Sequence, residues 1–184
     1  MLSLDESGQT TIPMLHDIVT TIEDHRMQQI HIGGEAPDFE LPGDGGQRVS
    51  LSQYRGSIVV LFFYPKDNTA GCTAEAVDFT ALSGKFDAAS TVLVGLSPDS
   101  VKSHDRFKAK HALSMPLAAD EQKSVLQAYG VWVEKSMYGR KYMGVERTTL
   151  LIGRDGRIAR IWNKVKVSGH AAEVLEAVRA LASA

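Results

Sequence analysis

Ile58-Val59-Val60-Leu61-Phe62-Phe63-Tyr64-Pro65-Lys66-Asp67-Asn68-Thr69-Ala70-Gly71-Cys72-Thr73 is the stretch from which the architecture of this chain is read. Ile58 to Tyr64 is an uninterrupted apolar run. It has the length of a strand buried on both faces and is far short of a membrane-spanning helix. Pro65 to Gly71 is a loop rich in turn formers, and a helix is predicted from about Cys72 to Gly84. Thr91 to Leu96 is the next buried strand, so strand, loop, helix and strand make a βαβ unit.

Outward from this unit the alternation continues. Upstream, Asp38–Leu41 and Gln47–Leu51 read as short strands about the turn Pro42-Gly43-Asp44-Gly45-Gly46. Downstream, a helix spans Ser100–His111 with Ser100 as N-cap, followed by a short strand Met115–Ala118 and a short helix Ser124–Tyr129 ended by Gly130. Thr148–Ile152 and Arg157–Trp162 form a hairpin about Gly153-Arg154-Asp155-Gly156. A last helix, capped by Ser168, runs to about Leu181 with Ala171, Val174, Leu175, Val178 and Leu181 along one side. This is the element order of an α/β fold with a mixed central sheet flanked by helices. Residues 1–30 read as an N-terminal extension in front of a domain over 31–184. Ile12, Leu15, Ile18, Val19 and Ile22 have helical spacing there, giving a helix packed on its own domain or, alternatively, a dimerisation arm.

The 184 residues suit one domain with a real core, and 43% of them are hydrophobic. Twenty basic against twenty-two acidic residues leave a net charge of −2, which gives no electrostatic case for nucleic acid or an anionic membrane. The single cysteine excludes an intramolecular disulfide framework and fits a reducing compartment. The first 25 residues hold no lysine or arginine, unlike a basic leader or transit peptide, so a cytoplasmic location is expected. No histidine spacing suggests a metal site: His104 and His111 do not have zinc-ligand spacing. Gly43-Asp44-Gly45-Gly46 lacks the fingerprint and lysine of a phosphate loop. Neither a metal nor another cofactor is expected. Glu134 to Lys166 carries nine lysines and arginines against three acids. That excess reads as a solvated face or as a docking patch for an acidic reductant.

The chemistry centres on Cys72. A loop delivers it to the first turn of a helix, where free backbone N–H groups and the helix dipole favour an anion, and surroundings of this kind favour a thiolate. A lone cysteine is also often a small buried hydrophobe, and spacing alone leaves both readings open. The surrounding sequence decides. Pro65-x-x-x-Thr69-x-x-Cys72 resembles the peroxiredoxin signature, and the fuller string is similar to the bacterioferritin comigratory protein, or PrxQ, subfamily. The similarity continues through His104-x-x-Phe107-x-x-Lys110, Tyr129-Gly130-Val131-Trp132-x-Glu134-Lys135, Tyr138-Gly139-Arg140, Arg147-Thr148-Thr149-Leu150-Leu151-Ile152 and Val165-Lys166-Val167-Ser168-Gly169-His170. It covers roughly residues 32 to 180.

The resemblance implies a thioredoxin-like fold and thiol-dependent reduction of hydrogen peroxide and alkyl hydroperoxides. It implies Cys72 as peroxide-attacking nucleophile and a Thr69 hydroxyl that holds the thiolate and the incoming peroxide. It also implies an Arg147 that pairs with the thiolate and polarises the O–O bond, and a Pro65 that shields the pocket from water. Two departures stand out. Most of the subfamily carries a second cysteine five residues after the first, where this chain has Val77; with no other cysteine, the oxidised form has to be reduced by an external thiol such as thioredoxin, glutathione with glutaredoxin, or another small thiol. On a helix Val77 lies about 140° around from Cys72 and about 7.5 Å along, pointing away with Ala74 and Ala81, whereas Phe79 and Leu82 share the cysteine's side. Ala70 replaces the proline usual before Gly-Cys. A monomer or weak homodimer is expected. A peroxide sensor that relays oxidation with little turnover, or a thioredoxin-fold interaction module, are the rival functions.

Overall fold

The structure, a computed structural model, describes residues 30–184, so the expected Ile12–Ile22 helix lies outside the described residues. The apolar run becomes strand β3 (Ile58–Phe63), preceded by an antiparallel pair, β1 (Glu40–Pro42) and β2 (Arg48–Ser50). After β3 come helices α1 (Ala70–Ala81) and α2 (Ser83–Ala88), strand β4 (Thr91–Ser97), helix α3 (Val101–His111) and strand β5 (Leu117–Ala119). Helix α4 (Ser124–Ala128), strands β6 (Trp132–Met137), β7 (Arg140–Val145), β8 (Thr148–Ile152) and β9 (Ile158–Trp162), and helix α5 (His170–Ala182) complete the chain.

The central sheet has the order β5-β4-β3-β8-β9, with β3–β4 and β4–β5 parallel and β3–β8 and β8–β9 antiparallel. It is the mixed sheet expected. β3 lies at its centre, and its side chains divide by the two-residue period of a strand. Val59, Leu61 and Phe63 join one core with Phe39, Leu41, Val49, Leu126 and Tyr129. Ile58, Val60, Phe62 and Tyr64 join the other with Cys72, Phe79, Phe86, Phe107 and Val174. Both faces of β3 are therefore dry, which is why the run is apolar throughout. On the helical side Phe79 stacks on Phe62 with ring centroids 4.9 Å apart, fastening α1 to the sheet directly behind the cysteine. Truncating such a ring to alanine costs about 3–5 kcal/mol.

Three local expectations differ. The helix predicted over Cys72–Gly84 begins earlier, at Ala70, and is two helices, because the backbone breaks at Leu82 (φ −100°, ψ 1°). The break turns Phe86 into the core beside Phe79. Ser168 does not cap the last helix: α5 starts behind Gly169, whose φ of 76° suits glycine, and no side chain caps it. The third difference is the hairpin β6–β7, which the sequence reading did not anticipate. Its turn, Tyr138-Gly139, has φ of 49° and 76°, the left-handed pair of a two-residue hairpin loop. No helix among the described residues is long and apolar enough to cross a membrane.

Candidate active site

Thr69, with extended backbone (φ −82°, ψ 154°), is the N-cap of α1, and the first helical bond runs from Thr73 N–H to the Thr69 carbonyl, 2.9 Å. The amides of Ala70, Gly71 and Cys72 precede that bond and have no intrahelical acceptor, so three N–H dipoles point out of the end of the helix that holds the cysteine. Cys72 is in this first turn and only 1% exposed.

Arg147 reaches the cysteine from the short link between β7 and β8. Its Nη2 donates to Cys72 Sγ at 3.2 Å, and its Nη1 donates to Glu75 Oε2. The approach is close beside the cysteine: a Cβ on Gly71 would sit 3.3 Å from Nη2, and the guanidinium would have to give by a few tenths of an ångström. The Arg147 carbonyl accepts from Val165 N–H at 2.9 Å, so the loop before α5 fastens the arginine's backbone as well. Cys72 and Arg147, far apart in sequence, thus meet in space. Desolvation acts to lower the pKa of the guanidinium, but the charge of Glu75 and the bond to Cys72 outweigh it and raise it, keeping Arg147 a fixed cation.

Glu75 was missing from the residues picked out in the sequence. It is 1% exposed, its Oε2 is held by Arg147, and its Oε1 is buried without a partner. Burial, outweighing the attraction of Arg147, pushes its carboxyl up to about 7. The two shifts pull against each other, since Arg147 is raised by facing an ionised Glu75. The upward direction for Glu75 stands, because one of its oxygens has lost water and gained nothing. Its spacing, three residues beyond Cys72 and thus on the same helical side, was the available signal.

Thr69 and Pro65 belong to the same loop. The Thr69 hydroxyl donates to the Lys66 carbonyl at 2.8 Å rather than to sulfur, which leaves its oxygen free to accept. Pro65 is half-buried at the mouth of that loop. Val77, 40% exposed, points away from Cys72, as its helical position required, and Phe79 is buried on the cysteine's side. Among the described residues, no group of three or more histidine, cysteine, aspartate or glutamate side chains is arranged to hold a metal ion.

Residues 32–161 match the model of the AhpC/TSA family. The chain is 47% identical over 150 residues to the peroxiredoxin Bcp of Bacillus subtilis, covering 82% of this chain and 96% of that one. Among solved structures it is similar to the bacterioferritin comigratory protein of Xanthomonas campestris, a protein with alkyl peroxide reduction activity. The TM-score is 0.77 at 42% identity over 83% of this chain and 98% of that one. Peroxiredoxin Q of Xanthomonas campestris, also at TM-score 0.77 and 42% identity, has been solved with serine replacing either of two cysteines, where this chain has one.

Proposed function

The chain belongs to the AhpC/TSA family as a peroxiredoxin of the bacterioferritin comigratory protein (PrxQ) subfamily, a peroxidase, and we propose that it reduces alkyl hydroperoxides and hydrogen peroxide through Cys72, with an external thiol closing the cycle. The observation that carries this reading is the 3.2 Å contact of the Arg147 guanidinium with a buried sulfur at a helix N-terminus. The Cys72 thiolate attacks the terminal oxygen of the peroxide. An S–O bond forms as the O–O bond breaks, sulfur is oxidised to the sulfenic acid, and the departing alkoxide takes a proton to leave as the alcohol. Negative charge moves from sulfur towards the leaving oxygen. A cation fixed beside that path and unpaired helix amides stabilise the moving charge without reorganising. The Thr69 oxygen accepts from the peroxide O–H, and Pro65 limits water at the mouth.

Resolution has to come from outside, because Cys72 is the only cysteine. One external thiol condenses with the sulfenic acid, releasing water and leaving a mixed disulfide. A second thiol attacks that disulfide and restores Cys72. In sum, one hydroperoxide and two thiols give one alcohol, one water and one disulfide. The same lone cysteine suits a sensor that hands its oxidation to a partner protein.

Peroxide consumption measured with dithiothreitol, then glutathione with glutaredoxin, then thioredoxin, separates the two. Turnover that disappears in Cys72→Ser is expected. Stoichiometric oxidation that stops after one equivalent makes it a sensor, and no oxidation of the thiol sinks both.

A further inference from the structure

We propose that the buried pair Asp67–His104 is a positioning device for the peroxide pocket, holding the Pro65–Thr69 turn in register with Cys72. This rests on the peroxidase reading and adds residues to it. In that turn Lys66, Asn68 and Thr69 are exposed and Pro65 is half-buried. Asp67 alone turns inward, at 5% exposure, to meet a fully buried His104 on α3.

The carboxylate of Asp67 is held from three directions. Tyr64 O–H donates to Oδ1 at 2.8 Å, Ser103 O–H donates to Oδ2 at 2.7 Å, and His104 Nδ1 lies 2.9 Å from Oδ2. The other ring nitrogen of His104, Nε2, lies 3.2 Å from the Ala118 carbonyl at the end of the sheet. Both ring nitrogens thus face an oxygen acceptor, one on the turn and one on the sheet, and the ring bridges the two. The backbone of Asp67 is tied as well: its N–H donates to Asp99 Oδ2 at 2.9 Å, and Ser97 O–H donates to the same oxygen at 2.7 Å.

A turn could be anchored more cheaply by an apolar side chain, since burying a carboxylate costs desolvation that its partners do little more than recover. What the pair adds is direction. Donors on Tyr64, Ser103 and His104 fix a carboxylate along three lines, whereas an apolar contact lets it slide. The next residue, Asn68, is left-handed (φ 58°), a conformation that asparagine adopts more readily than most residues and that reverses the chain towards Thr69. Thr69 follows, its hydroxyl aimed at the Lys66 carbonyl, so movement of Asp67 moves both ends of that bond. The sulfur is held separately, by α1 and Arg147. Loss of the pair should therefore disturb alignment of the peroxide and spare the thiolate.

The test compares two reactions of Cys72 in the full chain: the second-order rate with cumene hydroperoxide, and alkylation by iodoacetamide, which needs a thiolate but no peroxide pocket. His104→Gln keeps a donor at the Nε2 position and loses the one facing Asp67; His104→Asn does the reverse. The expectation is a fall of about 10²-fold in the peroxide rate for His104→Gln, recovery to within a few-fold of wild type for His104→Asn, and alkylation within about three-fold in both. Ser103→Ala, at the edge of the core, should lower the peroxide rate several-fold and keep the fold should both histidine variants unfold. Equal peroxide rates in His104→Gln, His104→Asn and wild type, or an unchanged rate in Ser103→Ala, overturn the proposal, as does alkylation falling in step with the peroxide rate. Wild-type protein that consumes no peroxide overturns the peroxidase reading instead.

Discussion

One guanidinium serves two acceptors at this site, and that division of labour is what a lysine cannot copy. Arg147 gives Nη1 to Glu75 and Nη2 to Cys72, two nitrogens of one planar group on two partners. An ammonium is a single point of charge on a flexible stem, so in Arg147→Lys it settles on the carboxylate or on the sulfur. The buried carboxylate competes strongly for it, and the sulfur loses its donor. The peroxide rate of Arg147→Lys should fall by about 10²–10³-fold, the usual cost of removing one preorganised donor from a developing negative charge. Stopped-flow measurement of Cys72 oxidation in a single turnover, with pre-reduced protein and no external thiol, reads this directly. A rate within three-fold of wild type would mean that charge near the sulfur suffices without the fork.

Helix α1 carries the thiol on its inner side and Val77 on its outer side, and this separation bears on how the cycle closes. Five residues along an intact helix put the two Cα atoms about 9 Å apart, beyond disulfide range, so a resolving cysteine at 77 demands unwinding. With valine there, no disulfide to position 77 requires α1 to open. Hydrogen exchange over Ala70–Ala81 should be the same in reduced and peroxide-treated protein, and marked opening on oxidation would refute a static helix. The same scale shows what sequence can and cannot reveal. β3 was legible because both of its faces are dry, leaving a continuous apolar run. Val77 was legible because helical geometry alone sends it outward. The hairpin β6–β7 was not, since its outer half is exposed and mixes Met137, Arg140, Lys141 and Tyr142 without the alternation of a half-buried strand. Cys72, Thr69, Pro65 and Arg147 were picked out through their motifs. Glu75 was overlooked because an acid in the second turn of a helix reads as solvated surface until a tertiary partner is known.

For the whole molecule, burying that carboxylate gives stability a pH dependence of unusual sign. Glu75 titrates at about 7 in the fold against an ordinary 4.5, so between these values the folded chain binds more protons than the unfolded one. Its contribution is fully present below about 4.5 and is lost as pH rises through about 7, an amplitude of about 3 kcal/mol. Asp67 works the other way in a lower window: buried, yet held below the usual carboxylate value of 3.8 by His104, Ser103 and Tyr64, it stabilises above that value and stops doing so as pH falls through its depressed one. His170 complicates the upper window. Burial, helped by the charge of Arg147, lowers it from 6.5, so it stabilises the fold as pH rises towards 6.5 and partly masks Glu75. A comparison with Glu75→Gln removes the mask, because His170 and Asp67 are common to both proteins. Glutamine keeps the shape and an oxygen for Nη1 while abolishing the titration. Urea unfolding at pH 5, 6, 7 and 8 should show Glu75→Gln gaining on wild type steadily from pH 5 to 7 and levelling off by pH 8. Parallel curves would mean that Glu75 is ionised throughout, its charge held by Arg147 at no net cost to the fold.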